Sequence, residues 1–190
     1  MDLRRWLVEE HRSLWPRFAD GIVGLLPAGR WKEHADNGGS CIAQLLFHVS
    51  LHADMAVQCV VRGQGPLVDE WRARLGLDGI EAHRGLAESE DPGVVAVIDP
   101  VALRDYAEAV HTTTAEWLAT ADLDGLDDVP AASERLAGLG GAALADVPWL
   151  HRMWDGKPVS WFVQWEATGH ILNHLGEMVN VRNRLGLSPF

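Results

Sequence analysis

The clearest helical pattern in the chain reads Gly169-His-Ile-Leu-Asn-His-Leu-Gly-Glu-Met-Val-Asn-Val-Arg-Asn-Arg-Leu-Gly-Leu187. Apolar and histidine side chains recur here at three- and four-residue steps, which is the spacing of one helix face. His170 and His174 both fall on that face. Gly186 suits a helix C-terminus. The pattern predicts a helix over about 160–186 that directs two histidines toward the core.

Three further segments, at about 2–26, 40–62 and 99–121, carry the same periodicity. Pro16 is expected to kink or split the first helix, because proline cannot donate a backbone hydrogen bond. The third helix has a clear start, since Asp99 can cap it and Pro100 suits its first position. We therefore expect an all-α fold of four long helices, with residues 1–190 forming one domain.

Two long connections, 64–98 and 122–159, lie between these helices. Connections of this length usually carry minor elements or function. Their local patterns predict short helices near 68–75 and 131–137. The run Val94-Val-Ala-Val-Ile98 fits a short strand equally well, because periodicity does not separate the two in a short apolar run.

The charge balance argues against nucleic acid as a partner. The 190 residues include 16 Lys and Arg against 27 Asp and Glu, a net charge of -11, which repels phosphate backbones and anionic membrane surfaces. The beginning of the sequence lacks the apolar segment of a secretory signal, and no stretch is apolar enough to cross a bilayer. Cys41 and Cys59 are the only two cysteines, and both are expected to be buried small apolar residues rather than nucleophiles. These features predict a cytoplasmic protein with no membrane partner.

Two histidine pairs at a four-residue step, His48 with His52 and His170 with His174, stand out. Random placement of nine histidines would give about 0.4 such pairs. All four fall on predicted inward faces, where an imidazole needs a hydrogen bond or a metal ion. The spacing alone does not decide whether these histidines are hydrogen-bonded core residues or metal ligands. The His-Glu-x-x-His pattern of zinc peptidases is absent, as are the paired Glu-x-x-His motifs of di-iron bundles.

The stretch Ser40-Cys-Ile-Ala-Gln-Leu-Leu-Phe-His48, together with the 169–187 pattern, resembles the DinB-like superfamily. This superfamily includes mycothiol-dependent maleylpyruvate isomerase and bacillithiol transferases. The resemblance implies a four-helix bundle with a long crossover connection and a single divalent ion bound by His48, His170 and His174. His52 competes with His48 on spacing, and only the resemblance favours His48.

The resemblance also implies a function. A three-histidine site suits zinc or nickel and leaves positions open for water or substrate. We therefore expect a metal-dependent S-transferase or isomerase that uses a low-molecular-weight thiol cosubstrate and acts on a small-molecule substrate. The alternatives are a non-catalytic, stress-related metal-binding protein and a metal-dependent hydrolase. Superfamily members commonly pair through helix faces, so a homodimer is also an expectation.

Two glutamates are candidates for roles beside the ion. Glu177 shares the ligand face and is the candidate catalytic residue, either as a base or by orienting a ligand, although a surface carboxylate paired with a nearby arginine fits equally well. Glu166 is a weaker candidate. Four tryptophans precede the histidines of the last helix, and some of them are expected to line an apolar pocket beside the metal: Trp149, Trp154, Trp161 and Trp165.

Overall fold

The computed structural model describes residues 2–35, 38–139, 144 and 147–190, and every regular element within these ranges is helical. The α-helices are α1 (Leu3–Arg12), α2 (Leu14–Phe18), α3 (Ile42–Asp54), α4 (Val68–Leu75), α5 (Pro92–Val97), α6 (Pro100–Thr120), α7 (Ala132–Leu139), α8 (Pro148–Trp154), α9 (Val159–Trp161) and α10 (His170–Arg184). Three π-helical segments extend them, at Ala19–Val23, Met55–Val61 and Phe162–Gly169. The all-α prediction is therefore confirmed for the described residues.

The first predicted helix is split, as expected near Pro16, but the break falls at Ser13. A continuous helix would need a hydrogen bond from residue 16 to the carbonyl of Arg12, and proline has no N–H to donate. The chain therefore starts a new helix at Leu14, in which Pro16 lies in the first turn, where its missing donor costs little.

The second and last long helices each contain a π-helical segment next to a histidine pair. Met55–Val61 continues α3 shortly after His52, and Phe162–Gly169 runs directly into His170 at the start of α10. Such wide turns are often found at functional sites, because they shift the side chains that follow onto a different face.

The third long helix begins as predicted. The carboxylate of Asp99 accepts hydrogen bonds from the backbone N–H groups of Val101 and Ala102. Helices also form near the positions predicted in the two connections, at Val68–Leu75 and Ala132–Leu139.

The segment for which a strand was an equal alternative is helical. It forms α5, because the Asp91 carboxylate accepts from the N–H groups of Gly93 and Val94 and Pro92 occupies the first position.

The long helices share one main hydrophobic cluster, which extends from Leu14 to Val181. Helix α6 packs against α1 and α3, and α10 packs against α3 and α2. Every residue of α3 is buried, so its histidines lie inside the protein. No helix in the described ranges combines the length and apolar character needed to span a bilayer.

A stacked histidine pair outside the main cluster should make stability depend on pH. The rings of His11 and His111 lie 4.2 Å apart between centroids. Burial is the main reason that the pKa of His11 is lowered and that of His111 falls to about 3. The unfolded chain takes up these protons near pH 6.5 and the folded chain does not, so stability should be fully present above that pH and decline below it.

Urea denaturation of the metal-free protein at pH 7 and pH 5 measures this effect. The midpoint should be lower at pH 5, and the difference between the two pH values should shrink in His111→Gln. Contributions from other titrating groups are common to both proteins and cancel in the comparison. An equal difference in wild type and variant would show that His111 does not titrate on unfolding.

Candidate metal centre

Three imidazoles from two helices meet at one point in the interior. His48 comes from the middle of α3, and His170 and His174 lie one turn apart at the start of α10. The Nε2 atom of His170 lies 3.2 Å from Nε2 of His48 and 3.1 Å from Nε2 of His174. All three side chains are buried. The structure therefore brings together the three residues that the DinB-like resemblance predicts as ligands.

The outer nitrogen of each ring faces an oxygen atom. His48 Nδ1 lies 3.0 Å from the carbonyl oxygen of Gly85, and His174 Nδ1 lies 2.9 Å from a carboxylate oxygen of Glu177. Because these oxygens only accept, each Nδ1 must donate, and the Nε2 atoms of neutral His48 and His174 then carry lone pairs. Both lone pairs point toward His170.

His170 cannot satisfy both sides of its ring with one proton. A proton on Nε2 would serve the two neighbouring histidines but would leave a lone pair on Nδ1, which is buried, lacks a hydrogen-bond partner and lies 3.5 Å from a Glu166 oxygen. A proton on Nδ1 would instead leave three lone pairs facing one another. A cation at the centre removes this conflict, because all three Nε2 atoms can then bind it while each Nδ1 donates outward.

The spacing of the nitrogens fits a small divalent ion. Zinc–nitrogen bonds of about 2.0–2.1 Å at tetrahedral angles place two ligand nitrogens about 3.3 Å apart. The two separations from His170 Nε2, 3.1 and 3.2 Å, are close to this value. Burial is the main reason that the pKa of His48 falls to about 3, with the neighbouring imidazoles adding to it, so this ring is neutral and able to ligate at neutral pH.

A fourth donor, Glu88, completes this group and was missed by the sequence reasoning. One of its oxygens lies 3.8 Å from His174 Nε2, and the donor atoms of all four residues lie within 4.8 Å of one another. Its side chain is 79% exposed, so it reaches the centre from the solvent side. Glu88 belongs to a connection without helical periodicity, and nothing in its sequence surroundings marks it.

A second group, formed by His52, Glu166 and His170, lies beside the first and shares His170 with it. The fully buried carboxylate of Glu166 accepts from Trp154 Nε1 at 2.7 Å and lies 3.1 Å from His52 Nδ1. Burial would raise the pKa of Glu166, but the neighbouring histidines lower it to about 2, so the group is a carboxylate.

The hydrogen-bond partners of His48 and His52 indicate which of these two histidines is placed to bind an ion. Both ring nitrogens of His52 face oxygen acceptors, since Nε2 lies 2.9 Å from the carbonyl of Leu86 and Nδ1 is taken by Glu166. His48 has one nitrogen directed at the other imidazoles. In this arrangement His48 is the better placed ligand, and His52 instead holds the Glu166 carboxylate near His170.

Glu177 lies behind His174, on its Nδ1 side. A carboxylate that accepts from the outer nitrogen of a metal-binding histidine fixes the orientation of the ring and increases its basicity. Of the roles predicted for Glu177, this geometry suits orientation of a ligand.

A cavity of about 200 Å³ adjoins the centre on the side of His170. The residues that line it include Trp149, Met153, Trp165, Glu166 and His170. Trp165 stacks on the His170 ring, with centroids 5.9 Å apart. Two of the four tryptophans ahead of the last helix therefore line a pocket, whereas Trp154 is fully buried beside it.

Neither cysteine supplies a nucleophile to this centre. Burial raises the pKa of both Cys41 and Cys59 to about 12, so both are protonated thiols at neutral pH when no metal ion is bound to them. Any thiolate used in a reaction here would have to come from a separate small molecule.

Comparison with known proteins does not extend these observations, because no protein-family model and no curated protein matches the chain.

Proposed function

We propose that this protein is a divalent-metal-dependent enzyme whose ion is bound by Nε2 of His48, His170 and His174. The observation that carries the proposal is the convergence of these three nitrogens, with the outer nitrogen of each ring directed at an oxygen atom. Zinc or nickel bound there would supply Lewis-acid chemistry and lower the pKa of a water or thiol.

The surrounding residues have defined tasks in this proposal. The Gly85 carbonyl and the Glu177 carboxylate hold His48 and His174 in the tautomer that ligates. Glu166 faces the outer nitrogen of His170. Trp149 and Trp165 provide flat apolar walls for a small substrate next to the centre, which is the usual composition of a ligand pocket.

We further propose that the reaction is transfer to, or isomerisation through, a low-molecular-weight thiol such as mycothiol or bacillithiol. This step rests on the resemblance to the DinB-like superfamily, and so does the assignment of the four long helical segments to a bundle of that type. Two features of the chain support it: the protein's own thiols are buried and protonated, and the pocket leaves room beside the ion for an external one.

The thiol proposal is tested by incubating zinc-loaded protein with mycothiol or bacillithiol and a small electrophile, or with maleylpyruvate, and following thiol or substrate consumption. We expect turnover that depends on both metal and thiol and disappears in His174→Ala. Ester hydrolysis without thiol would favour the hydrolase alternative. No difference between the zinc-loaded protein and His174→Ala in any assay would contradict an enzymatic role.

A closed, non-catalytic centre is the second candidate, and Glu88 is the observation that favours it. If its carboxylate were a permanent fourth ligand, the ion would have no open position. Glu88→Ala separates these cases, and Glu177→Gln, at the other glutamate beside His174, is the comparison variant. Because Glu88 is 79% exposed and 3.8 Å away, Glu88→Ala should leave zinc affinity within about threefold, whereas Glu177→Gln should lower it about 10- to 100-fold.

Competition titration against a chromophoric chelator measures both affinities. A loss of more than about tenfold in Glu88→Ala would identify a fourth ligand and favour the closed centre. An unchanged affinity in Glu177→Gln would show that the carboxylate behind His174 does not orient it.

A further inference from the structure

A third group of side chains that could hold a metal ion lies apart from the three-histidine centre and shares no residue with it. It consists of His34, Cys41 and Glu90. His34 follows the short helix Ala28–Arg30, Cys41 directly precedes α3, and Glu90 lies in the connection before α5. Gly38 and Gly39 have φ values of 118° and 94°, a left-handed conformation that favours glycine.

The carboxylate of Glu90 links the other two residues. One of its oxygens lies 2.7 Å from His34 Nε2, and the other accepts a 2.7 Å hydrogen bond from the backbone N–H of Cys41. One donor atom from each of the three side chains, including the Cys41 sulfur, lies within 4.8 Å of the other two. Tetrahedral zinc places such nitrogen, oxygen and sulfur ligands about 3.3–3.6 Å apart, so small side-chain movements would complete the site.

The chemistry of the three donors favours zinc over harder ions. A thiolate, an imidazole and a carboxylate are all common zinc ligands, whereas magnesium and calcium prefer oxygen alone. The thiolate and carboxylate together would balance the two charges of the ion. Cys41 is fully buried, but the His34 side chain is 42% exposed, which leaves a solvent-facing position for a fourth ligand.

The residue that caps α3 is also informative. The backbone N–H of Cys41, the N-cap residue of α3, donates to the Glu90 carboxylate, which lies 49 residues away in the sequence. The His34 ring and the Cys41 thiol also hydrogen-bond to this carboxylate. Glu90 therefore holds the other two donor groups beside it, in reach of one shared ion.

We propose that His34, Cys41 and Glu90 form a second divalent-cation site that binds zinc. Binding forms Zn–S, Zn–N and Zn–O bonds and releases the thiol proton of Cys41 to solvent. The ion would join the segment before α3 to the connection that contains Gly85, Leu86 and Glu88. Those three residues contact His48, His52 and His174, so the second site would hold this connection over the three-histidine centre.

Cobalt substitution tests the proposal without any assay of activity, because a thiolate bound to Co²⁺ gives a near-ultraviolet charge-transfer band that an all-histidine site lacks. The metal-free full-length protein is titrated with Co²⁺ alone and then with Zn²⁺. We expect two equivalents of metal and a thiolate band that zinc displaces. The band should be lost in Cys41→Ser, and the matched variant of the other buried cysteine, Cys59→Ser, should keep it.

This experiment tests the two proposed metal sites separately. His174→Ala should lose the three-histidine equivalent and retain the thiolate band, so a failure of the proposed function leaves this result unchanged. His34→Ala alters an exposed side chain and should fold even if Cys41→Ser does not, with metal affinity at the thiolate site at least about tenfold weaker. No band in the wild type, a band that persists in Cys41→Ser, or unchanged affinity in His34→Ala would each overturn the proposal.

Discussion

Replacing His170 with alanine should remove metal binding at the three-histidine centre. His170 is the shared member of this centre, since its Nε2 lies 3.2 Å from that of His48 and 3.1 Å from that of His174. Losing an outer hydrogen-bond partner of a ligand typically lowers metal affinity about 10- to 100-fold, and losing the ligand itself should cost more. We therefore expect the affinity for zinc to fall by more than about 100-fold.

Zinc content after dialysis and competition titration with a chelator measure this loss. Both are best made in a His34→Ala background, in which metal binding by the His34–Cys41–Glu90 group is weakened. His48→Ala and His174→Ala should behave like His170→Ala. The matched control is His83→Ala, because His83 lies on the neighbouring connection but belongs to none of the three candidate metal-binding groups. It should retain wild-type zinc.

Adding His52→Ala to these variants distinguishes the two groups that share His170. If the ion instead occupied His52, Glu166 and His170, His52→Ala would remove it and His48→Ala would not. If the ion occupies the three-histidine centre, His48→Ala should lose zinc and His52→Ala should retain it, because both nitrogens of His52 face oxygen atoms. Equal zinc content in all of these variants and in His83→Ala would return the histidines to structural roles in the core.

The long helices could be predicted because their signals are local. Periodicity placed all four, and the Asp99 cap and Pro100 fixed the start of α6 to the residue. Details that depend on hydrogen bonds to residues further along the chain were harder to predict from the sequence. The break at Ser13 occurs because Pro16 has no N–H to donate to the helix. The π-helical segments near His52 and His170 produce no regular spacing of apolar residues that would reveal them in the sequence.

The candidate site shows the same division. His170 and His174 are visible in sequence because a four-residue step puts them on one helix face. Glu88 and Glu90 could not be recognised from the sequence, because both belong to a connection whose position is fixed by tertiary contacts. The Gly85 and Leu86 carbonyls, which decide how His48 and His52 can use their nitrogens, act through the backbone, so no side-chain pattern could reveal them.

A fully buried carboxylate at the end of α3, Asp54, should make a large contribution to stability. It accepts hydrogen bonds from the backbone N–H groups of Leu67 and Val68 at 2.9 and 2.8 Å and from the Tyr106 hydroxyl at 2.9 Å. Burial opposes the ionised form and raises the pKa of Asp54 to about 6, although these three donors act against the increase. The carboxylate thus joins α3, the start of α4 and α6.

Asp54→Ala should lower the free energy of unfolding by about 3–5 kcal/mol, because it leaves up to three donors without partners in the interior. Tyr106→Phe removes one of these hydrogen bonds and should cost about 1–2 kcal/mol. The double variant should cost less than the sum, since the tyrosine hydroxyl has no acceptor once Asp54 is gone. The measurement is urea denaturation of metal-free protein at pH 7, which removes stabilisation by bound metal.

An exposed aspartate on the neighbouring helix provides the control. Asp69 lies in the first turn of α4 with its side chain 59% exposed, and its nearest cationic partner is Arg72 at 3.9 Å. Asp69→Ala should change stability by no more than about 0.5 kcal/mol. A similarly small effect of Asp54→Ala would mean that water replaces the carboxylate. Strictly additive effects of Asp54→Ala and Tyr106→Phe would mean that the 2.9 Å contact between their side chains contributes nothing to the fold.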